Sequence, residues 1–332
     1  MGRLHWIQVG LGPLGVAIAR QAIERGLGPL VGAFDTNPDL VGRPVHELIP
    51  GAPEHLVVQT TPLELDDAQP VRVAIVTTTS KVDLAMPTFE ILLKRGIPVV
   101  STCEELSWPW LRHPVLAGEL QEYAVRGQAS IVGTGVNPGF LMDALPRALL
   151  SACHSVEKIR VVRRQDAGLR RGPFQAKIGA TREVEPFQRE LDEGVTGHVG
   201  LGESLHFLAY SAGWQVRSWN ERATVLVADA PLDSALGTIE PGRARGLEQV
   251  GTAECDGGTL ELVFRAAVGE PEPFDRIEIK GDPNVTSTIE AGLHGDRATG
   301  AIVLNTIRPL IHSEPGLKTM ADLPFGGRDA FR

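Results

Sequence analysis

Cys103-Glu104-Glu105 sets a thiol and two adjacent carboxylates directly after an apolar run, residues 97–100. A carboxylate there can take up and return protons for a reacting carbonyl or amine, and a thiol can attack a carbonyl carbon. Adjacent side chains rarely share a direction. One carboxylate is therefore expected to face a cleft and the other to serve a helix start, where acidic residues are favoured. Position alone leaves open which is which. A nucleophilic Cys103 would want a base and an oxyanion pocket, and no glycine-rich partner follows it. A small buried thiol is the ordinary reading.

A second constellation lies earlier. Gly10, Gly12 and Gly15 stand in the spacing G-x-G-x-x-G, with Pro13 and Leu14 inside it and Asp35 twenty residues on. Gly10 permits a tight turn, Gly12 lets backbone approach a pyrophosphate, and Gly15 lets helix and strand pack closely. The phosphates would sit at the positive end of the following helix. Asp35 closes a second apolar run, residues 30–34, where its carboxylate can accept hydrogen bonds from an adenosine ribose. The pattern predicts binding of a nicotinamide dinucleotide. Asp35 favours the free ribose of NAD and repels a 2′-phosphate, whereas Thr36 and Asn37 can donate to one and Arg43 can reach it. Use of both NAD and NADP is expected.

The elements that must position these groups follow from periodicity. Residues 5–9, 30–34, 71–76, 97–100 and 129–132 are apolar strand-like runs, and helical patterns at 81–95 and 109–126 separate the later ones. Such alternation predicts an α/β fold, a Rossmann-type doubly wound parallel sheet, with ligands beyond the C-terminal strand ends. Three segments meet there: the glycine turn, Thr77-Thr78-Thr79-Ser80, and the Glu104 segment. Thr78 and Thr79 are expected beside the cofactor. After residue 133 the character changes. Asn137-Pro138-Gly139 is expected to open a short apolar helix, residues 140–150, with Asn137 as N-cap and Pro138 at the first helical position. The small residues around Asn137 suit a backbone that passes close to a nicotinamide ring. Strand-like runs at 159–163, 223–228, 246–254, 259–268 and 277–280, with helices near 181–192 and 202–212, predict a second α+β domain with a mostly antiparallel sheet. A helix at 296–311 is expected to return to the nucleotide domain. The expected division is residues 1–135, completed by 296–332, as the dinucleotide-binding domain. Residues 136–295 then form a substrate and dimerisation domain.

The composition narrows the class. The chain has 332 residues, 42% hydrophobic and 22% charged, with a formal net charge of −9. It can bury sizeable cores, and an extended nucleic-acid surface is not expected. No apolar stretch is long enough for a bilayer, and no signal-peptide pattern opens the chain. Three widely spaced cysteines argue against a disulfide framework and lack zinc spacing, so no metal is expected. A cytoplasmic enzyme is expected, with no membrane partner. In the second half, Arg163, Gln165 and His198 offer a polar pocket, although a lone histidine is more often structural.

Together these runs resemble the 2,4-diaminopentanoate dehydrogenases and the related native amine dehydrogenases, whose first domain is similar to that of dihydrodipicolinate reductase. The resemblance rests on Thr102-Cys103-Glu104-Glu105-Leu106, on Gly135-Val136-Asn137-Pro138-Gly139-Phe140-Leu141-Met142-Asp143 and on Lys177-Ile178-Gly179-Ala180. It continues in Gly197-His198-Val199-Gly200-Leu201 and in residues 316–324. It implies NAD(P)-dependent reductive amination of a ketone or aldehyde with ammonia, and the reverse oxidative deamination. It also implies that Glu104 handles the amine's protons. Glu105, Trp108, Phe140, Arg163, Gln165 and His198 would line the substrate pocket, and two copies would pair through the second sheet. The paired-histidine and lysine run of dihydrodipicolinate reductase is missing, and Arg163-Arg164-Gln165-Asp166 stands in its place. The alternative is another small-carbonyl NAD(P) oxidoreductase of the same superfamily.

Overall fold

A computed structural model describes residues 4–65 and 70–327. The chain divides into two compact units, Met1–Phe140 with His294–Arg332, and Leu141–Leu293.

In the first unit, strands β1 (Trp6–Val9), β2 (Leu30–Phe34), β3 (Val73–Val76), β4 (Val99–Ser101) and β5 (Ser130–Gly133) are joined at the edge by Gly316–Lys318. The order is Gly316–Lys318, β5, β4, β3, β1, β2, and every pairing is parallel. Four of the strands, β1, β3, β4 and β5, are buried along their whole length. That is why they read as continuous apolar runs rather than alternating ones. Helix α1 (Pro13–Glu24) turns Gly15, Ile18, Ala19 and Ala22 inward at helical spacing, with Pro13 in the first turn. The helix Gly295–Ile311 packs against α1, close enough that a Cβ on Gly300 would lie 2.6 Å from the Gln21 amide.

Two local expectations change. The helix anticipated at 109–126 runs Pro114–Arg126, because Pro114 lacks the N–H that an interior helical position needs. Asn137 and Pro138 do not open a helix either. The helical stretch expected at 140–150 is there, as Phe140–Ala144 leading into Leu145–Leu150, but the Asn137–Pro138 peptide bond is cis and Gly139 takes φ +122°. A left-handed residue between Pro138 and Phe140 breaks any helix through them. A Cβ on Gly139 would lie 2.5 Å from the Gly135 nitrogen, so only glycine fits where this loop doubles back.

The second unit is a six-stranded sheet in the order Val285–Glu290, Phe274–Asp282, Ser155–Asp166, Thr259–Ala267, Ala244–Cys255, Val216–Val227. All neighbours are antiparallel except Ser155–Asp166 with Thr259–Ala267. One face carries Val161, Leu262 and Gly251 in register. There the helix Leu201–Ser211 covers it: Leu201 and Leu205 are the side chains a Cβ on Gly251 would meet. The opposite face is laced with ion pairs, among them Arg160 with Glu261 and Glu278, and Arg265 with Glu248 and Glu270. The edge strand Val285–Glu290 and the hairpin of Leu232–Ser234 with Gly237–Ile239 were not legible in the periodicity, being short and largely polar.

Candidate active site

The glycine turn is braced from beneath. The Gly10 carbonyl accepts from Nε2 of the fully buried Gln8 at 3.0 Å and from the Thr77 hydroxyl at 2.9 Å. With φ +89°, Gly10 occupies a conformation that side chains rarely adopt, and an added Cβ would lie 2.7 Å from the Thr77 carbonyl oxygen. At Gly15 a Cβ would come within 2.1 Å of the Gly10 oxygen. Gly12 is the opposite case: a Cβ there meets nothing within 4 Å. It forms the N-cap of α1 without a side chain, and Pro13 has no N–H to offer, so Leu14 and Gly15 carry the first donors of the helix. Two glycines are needed for packing, and the third leaves space open for a ligand.

Asp35 holds this turn as well as facing outward. Its Oδ2 accepts from the Leu11 N–H at 2.6 Å and its Oδ1 from the Asn37 N–H at 2.8 Å. A cavity of about 400 Å³ opens beside it, lined by Gly10, Gly12, Asp35, Thr36 and Thr78 among the residues expected from sequence. Asn37, Thr79, Pro13, Leu14, Gly15 and Asn137 are not among its lining residues. Asn37 and Thr79 cap local turns, to the N–H groups of Asp39 and Lys81. Asn137 lies in the loop whose Val136 N–H donates to Thr299 at 3.2 Å.

Thr60, Thr61 and Thr88 also line the cavity, and sequence reasoning missed them. A parallel bridge from Phe34 to Gln59 brings this segment beside Asp35. One signal was available. Thr61-Pro62-Leu63-Glu64 is a capping box, with Thr61 accepting from the Leu63 N–H and Glu64 from the Thr61 N–H.

The two adjacent carboxylates separate. Glu104 and Glu105 open a short turn, Glu104–Ser107, directly beyond β4. Glu105 is only 7% exposed, and its Oε2 accepts from the Val82 N–H at 2.9 Å and faces His113 Nε2 at 2.9 Å. Glu104 stays half-buried. Asp83 adds a second carboxylate near Glu105 and His113, all within 4.8 Å. However, the N-terminus of the helix Val82–Lys94, the positive end of its dipole, lies at this cluster, which suits a carboxylate better than a cation. Cys103 is 2% exposed, and burial pushes its thiol well above the usual range, so it stays protonated and is a poor nucleophile. Trp108 meets Trp110 edge-on at 5.1 Å, and Phe140 meets Phe325 edge-on at 6.2 Å.

In the second unit, Arg163 and Gln165 both donate to the Leu293 carbonyl, each at 3.0 Å. Asp275 accepts from the Leu293 N–H at 2.7 Å and lies 3.7 Å from Arg163. Three buried polar side chains thus converge on one backbone residue. His198 stacks on Phe264 at 4.3 Å, and Gln249 clamps both its N–H and its carbonyl. Burial, with the charges of Lys177 and Arg163 adding to it, lowers the His198 pKa to about 3. Its ring is neutral at working pH and cannot serve there as a proton donor of imidazolium type.

Residues 140–328 match the 2,4-diaminopentanoate dehydrogenase C-terminal domain. A 2,4-diaminopentanoate dehydrogenase of Acetoanaerobium sticklandii is 28% identical over 336 residues, covering 98% of this chain and 94% of the relative. Among solved structures, an amine dehydrogenase from Mycobacterium smegmatis superposes with a TM-score of 0.86 at 22% identity, over 98% of this chain and 97% of that one. A Thermus thermophilus dehydrogenase solved with NAD and alpha-ketoglutarate shares the fold, with a TM-score of 0.57 at 15% identity over 96% and 92% of the two chains.

Proposed function

Because the chain belongs to the 2,4-diaminopentanoate dehydrogenase family, we propose that it is an NAD(P)-dependent amine dehydrogenase that aminates a small ketone or aldehyde with ammonia and runs the reverse deamination. The observation that carries the reading is the separation of the two carboxylates. The Glu105 carboxylate is held by the Val82 N–H and His113, whereas Glu104 stands half-buried directly beyond β4, a strand of the same sheet whose β1 leads into the glycine turn. Glu104 takes a proton from ammonium to free the nucleophile, then returns it as the carbinolamine loses water. The iminium left beside the carboxylate is stabilised by its charge. When bound, the nicotinamide supplies the hydride in one direction and accepts it in the other. Gly10, Gly12, Asp35 and Thr36 would hold its adenosine and phosphates, as the open position at Gly12 allows. Consumption of NAD(P)H with cyclohexanone or a short aldehyde should require ammonium. Equal turnover without it would support a plain carbonyl reductase instead.

Use of both cofactors is part of this reading, supported by the hydroxyls in the cavity and opposed by its charges. Asp35 repels a 2′-phosphate, and no lysine or arginine is among the described residues that line it. Arg43 is paired with Glu47 at 3.2 Å. The hydroxyls of Thr36, Thr60 and Thr61 can still donate to a phosphate. Asp35→Asn removes the repulsion and keeps one of the two acceptors that hold the Leu11 and Asn37 N–H groups. It should raise the affinity for NADP relative to NAD about tenfold, or ~1.4 kcal/mol, read from the two dissociation constants.

The charged face of the second sheet carries both signs, with Arg160 and Arg265 beside Glu261, Glu278 and Glu248, and so suits a self-complementary pairing of two copies. Light scattering should report a dimer; a monomer at micromolar concentration would count against it. The cysteines of the chain are free, as a reducing cytoplasm would keep them. Among the described residues, no helix is long and apolar enough to cross a membrane.

A further inference from the structure

Glu105 makes three connections at once. Its N–H donates to the Ser80 carbonyl at 3.1 Å, and its carboxylate holds the Val82 N–H and His113 Nε2, each at 2.9 Å. Ser80 ends the segment whose Thr77 and Thr78 line the cofactor cavity. Val82 opens the helix Val82–Lys94, and His113 is the N-cap of the helix Pro114–Arg126. One buried carboxylate therefore ties the Glu104–Ser107 turn to two helix starts. Charge-assisted bonds in so dry a place are strong, and the dipole of the Val82 helix adds to them.

We propose that Glu105 and His113 are positioning residues for Glu104, a role that rests on the reading of Glu104 as the group that handles the amine's protons. The turn is four residues long, and Glu105 is the direct neighbour of Glu104. With His113 gone, the Glu105 side chain keeps one anchor in place of two and can swing about the Val82 N–H. That motion carries the Glu104 backbone with it, and reacting groups tolerate little displacement. The glycine turn has its own braces in Gln8, Thr77 and Asp35, so the cofactor should not register the change.

The test compares His113→Ala with His113→Gln, whose carboxamide N–H can reach the same Glu105 oxygen. Activity is counted per NADH-binding site from fluorescence titration, so loss of folded protein does not register. In His113→Ala, kcat/KM for ammonium should fall about tenfold with the NADH dissociation constant unchanged, and His113→Gln should restore most of the loss. Ammonium kinetics equal to wild type in His113→Ala would overturn the proposal, and so would a glutamine variant as poor as the alanine one. Glu104→Gln in the same assay separates the two levels. If it turns over normally, the reading of Glu104 fails; if it is inactive while His113→Ala is unaffected, only the positioning role fails.

Discussion

Glu104→Gln should lower kcat for reductive amination by about 10²- to 10⁴-fold, the usual contribution of a positioned acid–base group, while cofactor affinity stays at the wild-type level. The amide keeps the shape of the side chain and can still accept a hydrogen bond, but it cannot take a proton from ammonium. The groups that shape the cavity proposed for the cofactor lie elsewhere, at Gly10, Gly12, Asp35 and the threonines around them. A parallel Glu105→Gln variant sets the contrast. Its carbonyl oxygen can still accept from the Val82 N–H, so the fold should persist with a smaller loss of turnover. Stopped-flow measurement of NADH oxidation in saturating ammonium reads both. If Glu105→Gln proves inactive and Glu104→Gln active, the roles of the two carboxylates are reversed.

Arg163→Ala should destabilise the chain by about 3–5 kcal/mol, the cost of leaving a buried carboxylate without its partner. Burial works against both ions here: it lowers the Arg163 pKa to about 10 and raises that of Asp275. Their attraction and the bonds to Leu293 offset that cost. Removing the guanidinium strands Asp275 in a dry site and takes one of two donors from the Leu293 carbonyl. The double variant Arg163→Met with Asp275→Leu removes both charges and should recover much of the loss. Urea unfolding of the three proteins checks this. A single variant that loses less than about 1 kcal/mol would mean that water already reaches the pair.

Much of the first unit is legible in its residues alone. Apolar runs four to six residues long, a glycine turn and an amphipathic helix act over short stretches of chain, and β1, α1 and β2 fall where they were expected. The helix Gly295–Ile311 was legible too, from its own periodicity. The edge strand Gly316–Lys318 was not. Three residues carry no period, and only pairing with β5 makes them a strand. The threonines at 60 and 61 escaped for a related reason, since their neighbourhood to Asp35 comes from one bridge between distant segments.

The cofactor-type turn, the two architectures and the pair of carboxylates beyond β4 are written along the chain, because spacing and turn chemistry are local. How that pair divides is set by contacts between distant segments. Glu105 finds its donors at Val82 and His113, and Arg163 finds Leu293 a hundred and thirty positions away. A side chain's direction depends on which buried donors and acceptors lie within reach, and those arrive from segments that no window along the chain contains.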